Sequence, residues 1–269
     1  MITYLLNAFN EMHWFLPKSN LSKISNILKL KLSSDWIKEY SPLLKDGIGL
    51  NPVTEVTYLK ESKTLIFPIE GVLMPRASVM DALCGMQSTD MLANSYINSI
   101  DQHEPERVIL NINSPGGAAI GIKEFAYIIK EAPVNYTVAF SNCMMTSAAY
   151  YLGAGADEFV TTKTAYVGSI GAIQEIVKSK ESESIVFQAG DKKAMGHPDL
   201  KITDAEMKYF QDSVDKSREE FINDLTYLTG KPRKLFEDNQ GEAVQAAGSK
   251  LVDRTVLHFN ELLTTLEEK

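Results

Sequence analysis

The chain has 269 residues, 27 Lys+Arg against 35 Asp+Glu, a net charge of -8, 44% hydrophobic and 23% charged residues, and two cysteines. This length allows one large domain or two small ones, with a core that needs neither a disulfide nor a metal. The acidic balance argues against non-specific nucleic-acid binding, Cys84 and Cys143 show no disulfide framework or CxxC metal spacing, and no apolar run approaches the roughly 18 residues of a membrane span.

Charge divides the chain. Residues 1–45 hold six lysines and three acids, so a +3 arm precedes a body of -11. The first 17 residues lack a basic n-region, and Asn7, Asn10 and Glu11 break their apolar stretch, so no signal peptide is read there. The arm has two readings: an amphipathic helix near 19–40 packed on the body, or a docking arm for an acidic partner. Residues 41–58 contain two prolines and two glycines and read as a linker. Residues 1–58 are thus expected to form an extension and linker, and 59–269 the main domain.

Residues 64–69 read as a strand, 74–88 as irregular, and 90–103 as a helix capped by Ser88 or Thr89. Residues 107–112 form a continuous apolar run of the kind found in buried parallel strands. A helix with Ile122, Phe125, Ile128 and Ile129 on one face follows, then a strand over 134–140 and a small-residue helix over 147–156. Short strands are predicted at 159–161 and 185–187, and a long helix at 203–229 with Asp204 and Glu206 near its positive end. This order predicts an α/β fold, parallel β-α-β units with flanking helices.

Two segments carry candidate chemistry, each expected to link a buried strand to a helix, where open α/β sheets bind ligands. In Asn113-Ser114-Pro115-Gly116-Gly117 the paired glycines could turn backbone N–H groups outward at a helix start, or simply form a turn; no Gly-Lys-Ser/Thr follows, which disfavours a phosphate loop. In Met144-Met145-Thr146-Ser147-Ala148-Ala149 a hydroxyl among small residues suits an exposed nucleophile, or a helix cap. Thr146 is the rival cap and Cys143 the rival nucleophile. Of the four histidines only His197 lies in sequence near the remaining candidate segment, 190–198, which carries Lys192 and Lys193. A lysine in water is neutral about once in 2,500 molecules at pH 7, so a lysine base needs burial that shifts its balance by roughly 4 kcal/mol. Two solvated turn lysines are the plain alternative.

Taken in order, Asn113–Gly117, Thr146-Ser147-Ala148-Ala149-Tyr150-Tyr151, Gly168-Ser169-Ile170-Gly171 and the Lys192-Lys193 turn ending in Gly196-His197-Pro198 resemble the signal peptide peptidase A (SppA) family of serine peptidases. Within it the likeness is strongest to phage prohead proteases of the lambda type. The resemblance implies a ClpP/crotonase-like fold and a Ser-Lys dyad with no metal or cofactor. Ser147 would be nucleophile and Lys193 general base, with Lys192 its neighbouring rival. The N–H groups of Gly117 and Ala148 would form the oxyanion hole, and Asn113, Ser114 and Gly116 would hold substrate as an added strand. It also implies protein substrates (capsid, portal or scaffold), a homo-oligomer whose dyad can be shared between subunits, and a soluble protein acting in host cytoplasm within the assembling procapsid. Three other readings stand beside it: a soluble bacterial SppA-like peptidase, an inactive capsid-assembly protein of the same fold, and a crotonase-type acyl-CoA enzyme. The sequence departs from the family at Ala148-Ala149, where many members have Gly-Gly, and at Glu237-Asp238-Asn239-Gln240, where an aromatic approach is usual.

Overall fold

The computed structural model describes residues 14–15, 55–77, 85–176, 185–197 and 199–267. The predicted helix near 19–40 and most of the predicted linker lie outside these residues.

Eleven strands occur among the described residues: β1 (Trp14–Phe15), β2 (Thr57–Leu59), β3 (Thr64–Met74), β4 (Met86–Ser88), β5 (Arg107–Ala118), β6 (Tyr136–Ser141), β7 (Met144–Thr146), β8 (Glu158–Thr162), β9 (Tyr166–Gly168), β10 (Ala243–Gln245) and β11 (Arg254–Val256). The helices are α1 (Thr89–His103), α2 (Ile122–Glu131), α3 (Ala148–Gly153), α4 (Asp204–Thr229), α5 (Arg233–Glu237) and α6 (Phe259–Glu267). The α/β expectation is met: the sheet is mostly parallel, and helices flank it.

The sheet forks at β5. Along one edge β5 pairs with β3, from Thr64 opposite Arg107 to Leu73 opposite Gly117, with a register shift between Glu70 and Val72. On the other edge its first half pairs with β6, from which the sheet continues in parallel to β8 and β11. Farther along that edge Ser114 pairs with Met145 of β7, which leads in parallel to β9 and then antiparallel to β10. One strand therefore feeds two branches, and residues 113–117 and 144–149 lie where they part.

Two expectations fail here. Residues 113–117 are not a loop opening a helix: β5 continues through them, and α2 begins only at Ile122 behind Gly121. Pro115, Gly116 and Gly117 break the apolar pattern, but β3 also runs on past Glu70 and supplies their partners. Residues 185–187 are not a buried strand either. Ile185 and Phe187 are 81% and 92% exposed and belong to no strand. A β-rich composition does not make a strand without an edge to pair with.

Helices cover both faces. Leu92 and Tyr96 of α1, Phe125 and Ile129 of α2, α3, and Phe221 and Leu225 of α4 pack on one face. Leu262 and Leu266 of α6 pack on the other, against Ile109, Val138, Phe140 and Val160. Local signals set the helix ends as their sequences suggest. Ser88 accepts the Met91 N–H at 3.3 Å, and Thr203 and Glu206 form a reciprocal capping box.

Only the C-terminal half of α4 is buried, and one carboxylate ties it down. Asp224, 7% exposed, accepts hydrogen bonds from Lys123 Nζ at 2.9 Å, Tyr127 Oη at 3.2 Å and Tyr151 Oη. Burial first, then the bond to Asp224, holds the Tyr151 hydroxyl above its ordinary pKa, so it is a permanent donor at neutral pH. Removing the shared acceptor takes one hydrogen-bond partner from each of three donors on α2 and α3, of which the half-exposed Lys123 can turn to water. Asp224→Ala is expected to destabilise the fold by about 3 kcal/mol. Urea unfolding checks this; a loss under about 1 kcal/mol would show that water replaces the carboxylate freely.

Candidate active site

The two candidate segments meet at the fork. Ser114, buried, pairs opposite Met145. Its Oγ accepts the Gly116 N–H at 3.1 Å, which turns the backbone through a φ of 104° at Gly116. Thr146 Oγ1 donates to the Pro115 carbonyl at 3.0 Å, stitching the end of β7 to β5. The Thr146 hydroxyl thus serves between strands, and the N-cap position falls to Ser147, so Thr146 is not the helix cap.

Ser147 stands at the turn between β7 and α3. Its φ of 57° and ψ of -119° are open to glycine and costly for other residues. The turn is held from both sides: the Ser147 N–H donates to the Gly168 carbonyl at 2.7 Å, and the Ser147 carbonyl accepts the Tyr151 N–H at 2.9 Å. Ser147 occupies the N-cap position of α3, yet its side chain makes no capping bond. The residue is 1% exposed, and its Oγ has no hydrogen-bond partner among the described residues. A strained serine with an unspent hydroxyl at a strand-to-helix turn has the geometry that a nucleophile elbow gives its serine. Ala148 begins the helix, so its N–H has no acceptor within the helix.

Gly117 is glycine for space. A Cβ there would lie 1.9 Å from the Leu73 carbonyl oxygen, because β3 and β5 run backbone against backbone at that pair. Asn113, by contrast, is exposed.

One contributor escaped sequence reasoning. Asn239, in the stretch that departs from the family pattern, accepts the Ile170 N–H at 2.7 Å through Oδ1 and donates to the Glu242 carbonyl at 2.8 Å through Nδ2. Glu242 in turn accepts the Ser169 N–H at 2.7 Å. Asn239 thereby fixes the Gly168–Gly171 loop whose Gly168 carbonyl holds Ser147. A polar residue within a Glu-Asp-Asn-Gln run gives no local sign of such a task.

The lysines stand apart from this cluster. Lys193 lies on an exposed turn, its N–H bonded to the Gly190 carbonyl at 3.0 Å. Lys192 Nζ sits 4.4 Å from the centroid of the Tyr209 ring, beside a cavity of about 610 Å³ lined by Lys192, Met195, Leu200 and Tyr209. Ser147 Oγ accepts no hydrogen bond from either. Cys143 is free and exposed, on the turn before β7 and not at the helix junction. Among the described residues no cluster of His, Cys, Asp or Glu could hold a metal, and no helix is long and apolar enough to cross a membrane.

The model of peptidase family S49 matches residues 130–269, more than half of the chain. The chain belongs to peptidase family S49. The matched stretch includes Ser147, both lysines and Asn239, while Asn113–Gly117 precede it. Curated relatives include capsid assembly protease C of Escherichia phage lambda, 23% identical over 195 residues, covering 70% of this chain and 44% of the relative. Another is head-tail preconnector protein GP5 of Enterobacteria phage P21, 25% identical over 218 residues, covering 72% and 43%. The chain spans less than half the length of either. Among solved structures, a mutant of the 1510-N membrane-bound stomatin-specific protease aligns with a TM-score of 0.46 and 14% identity, covering 74% of this chain and 82% of that one.

Proposed function

We propose that this S49 peptidase is a serine endopeptidase of phage head assembly, cleaving capsid, portal or scaffold proteins, with Ser147 as nucleophile and Lys193 as general base. The observation that carries the reading is the strained Ser147 turn, whose buried hydroxyl has no hydrogen-bond partner among the described residues. Similarity to a capsid assembly protease and a head-tail preconnector protein supports the setting, the host cytoplasm inside the assembling procapsid.

In the proposed reaction Lys193, in its neutral form, takes the Ser147 Oγ proton as Oγ bonds to the peptide carbonyl carbon. The carbonyl oxygen becomes an oxyanion held by the N–H groups of Gly117 and Ala148, each contributing about 3 kcal/mol to the transition state. The lysine ammonium then gives its proton to the departing amine nitrogen and the C–N bond breaks. Water, deprotonated by the same lysine, attacks the acyl-enzyme and releases Ser147. Asn113, Ser114 and Gly116 would align the substrate as an added strand.

Lys193 is exposed in the single chain. Ile185 and Phe187, apolar and exposed, lie on the same segment. Both features fit a homo-oligomer in which this segment of one copy closes over Ser147 of its neighbour. Ser147→Ala and Lys193→Ala are each expected to be inactive alone. Mixed in equal amounts and allowed to exchange subunits, they should recover about a quarter of wild-type activity, the random frequency of intact pairs in a ring. A mixture that stays inactive, with Lys193→Ala still inactive, would place the base within its own chain. Co-expression of wild type and Ser147→Ala with capsid, portal and scaffold proteins, read by intact mass, tests the substrate class: only wild type should shorten them.

A further inference from the structure

β1 is a two-residue strand far from the rest of the sheet in sequence, and its position is unusual. Trp14 pairs opposite Ala118 and Phe15 opposite Gly117, antiparallel to the end of β5. On its other edge Trp14 exchanges both backbone hydrogen bonds with Ile173, N–H to carbonyl at 2.8 Å one way and 3.0 Å the other. The β5-β7-β9 branch explains the slot. β7 stops at Thr146, where the chain turns off through Ser147, while β5 and the segment after β9 continue past it. Beyond the end of β7 a gap one strand wide remains between Gly117–Ala118 and Ile173, and β1 fills it. Its direction runs from the Ala118 level back to the Gly117 level. By the register of Ser114 with Met145, Ser147 follows at the level of Gly116, so the carboxyl end of β1 points toward the Ser147 turn. Trp14 is 1% exposed.

We infer that β1 is the chain's own occupant of the peptide-binding groove: residues 14–15 hold the site closed, and the seat of Trp14 is a subsite for a large aromatic side chain just upstream of the bond to be cut. This rests on the reading of Ser147 and Gly117 given above and extends it to regulation and substrate class. An extended peptide can bind only as a strand between the same two edges, since those edges carry the free backbone groups of the gap. It must therefore displace β1, and its apparent affinity falls by the fraction of molecules that are open. A peptide with a large aromatic group at the Trp14 position replaces what it removes.

The test uses the full chain. A fluorescent synthetic peptide of residues 8–18 is titrated, by anisotropy, against Ser147→Ala and against Ser147→Ala carrying Trp14→Pro. Proline removes the N–H that bonds Ile173 and so releases the strand. The double variant is expected to bind the peptide at least about tenfold more tightly, and a peptide with Asp in place of Trp to lose about tenfold or more. Trp14→Ala provides a second release variant should Trp14→Pro fold poorly. Equal affinity with and without release, no binding to either, or indifference to the Trp-to-Asp change would overturn the inference. Binding needs no chemistry at Ser147. Tighter binding on release, with no cleavage by chains that retain Ser147, would preserve the groove and sink the peptidase reading instead.

Discussion

Ser147→Ala is expected to lower peptide cleavage by on the order of 10⁴-fold or more while leaving the fold intact, and Ser147→Gly to be equally inactive but more stable than wild type. Oγ makes no hydrogen bond among the described residues, so removing it breaks nothing structural. What destabilises this position is the backbone, held at a φ of 57° and a ψ of -119° by the Gly168 carbonyl and the Tyr151 N–H. Alanine keeps that strain. Glycine relieves it, and should raise stability over Ser147→Ala by about 1 kcal/mol. Stability gained as function is lost marks a residue kept for chemistry. Thermal melts and a peptide-cleavage assay on the three proteins check both halves. Wild-type cleavage by either variant, or a glycine variant less stable than the alanine one, would refute the assignment.

Gly117→Ala is expected to cost about 4 kcal/mol or more and to abolish activity. The new Cβ would sit 1.9 Å from the Leu73 oxygen, and neither strand can yield without breaking the parallel pairing beside the candidate oxyanion donor. Gly116→Ala makes a useful contrast. Its difficulty is a φ of 104°, which costs about 1–3 kcal/mol in strain and leaves the β3–β5 contact alone. Denaturant unfolding should rank the two accordingly, with Gly117→Ala the less stable. The reverse order would mean that β3 and β5 separate easily there.

Much of this was legible before folding. Helices α1 and α2 follow from apolar spacing, α1 and α4 are marked by capping residues or first-turn acids, and β6 and the first half of β5 follow from short apolar runs. The Ser147 segment was legible as a candidate but not as a decision, because a capping serine and a nucleophilic serine share the same neighbours. The tertiary structure shows that the Ser147 side chain makes no capping bond, and that its backbone is held by Gly168 and Tyr151 from outside the segment. Asn239 was unreadable for a similar reason: its amide serves a loop 69 positions away.

The sequence alone determined the class of the fold, the two chemical segments and the family resemblance, since side-chain periodicity and local motifs encode what a segment is. Only the tertiary structure decided what each segment pairs with. β5 runs on through Pro115-Gly116-Gly117 because β3 lies beside it, residues 185–187 stay exposed because no edge receives them, and Trp14–Phe15 enter a sheet from an arm with no strand pattern. Pairing of this kind is made by backbone N–H and C=O groups, which are alike in every residue but proline, so the sequence carries little trace of the partner.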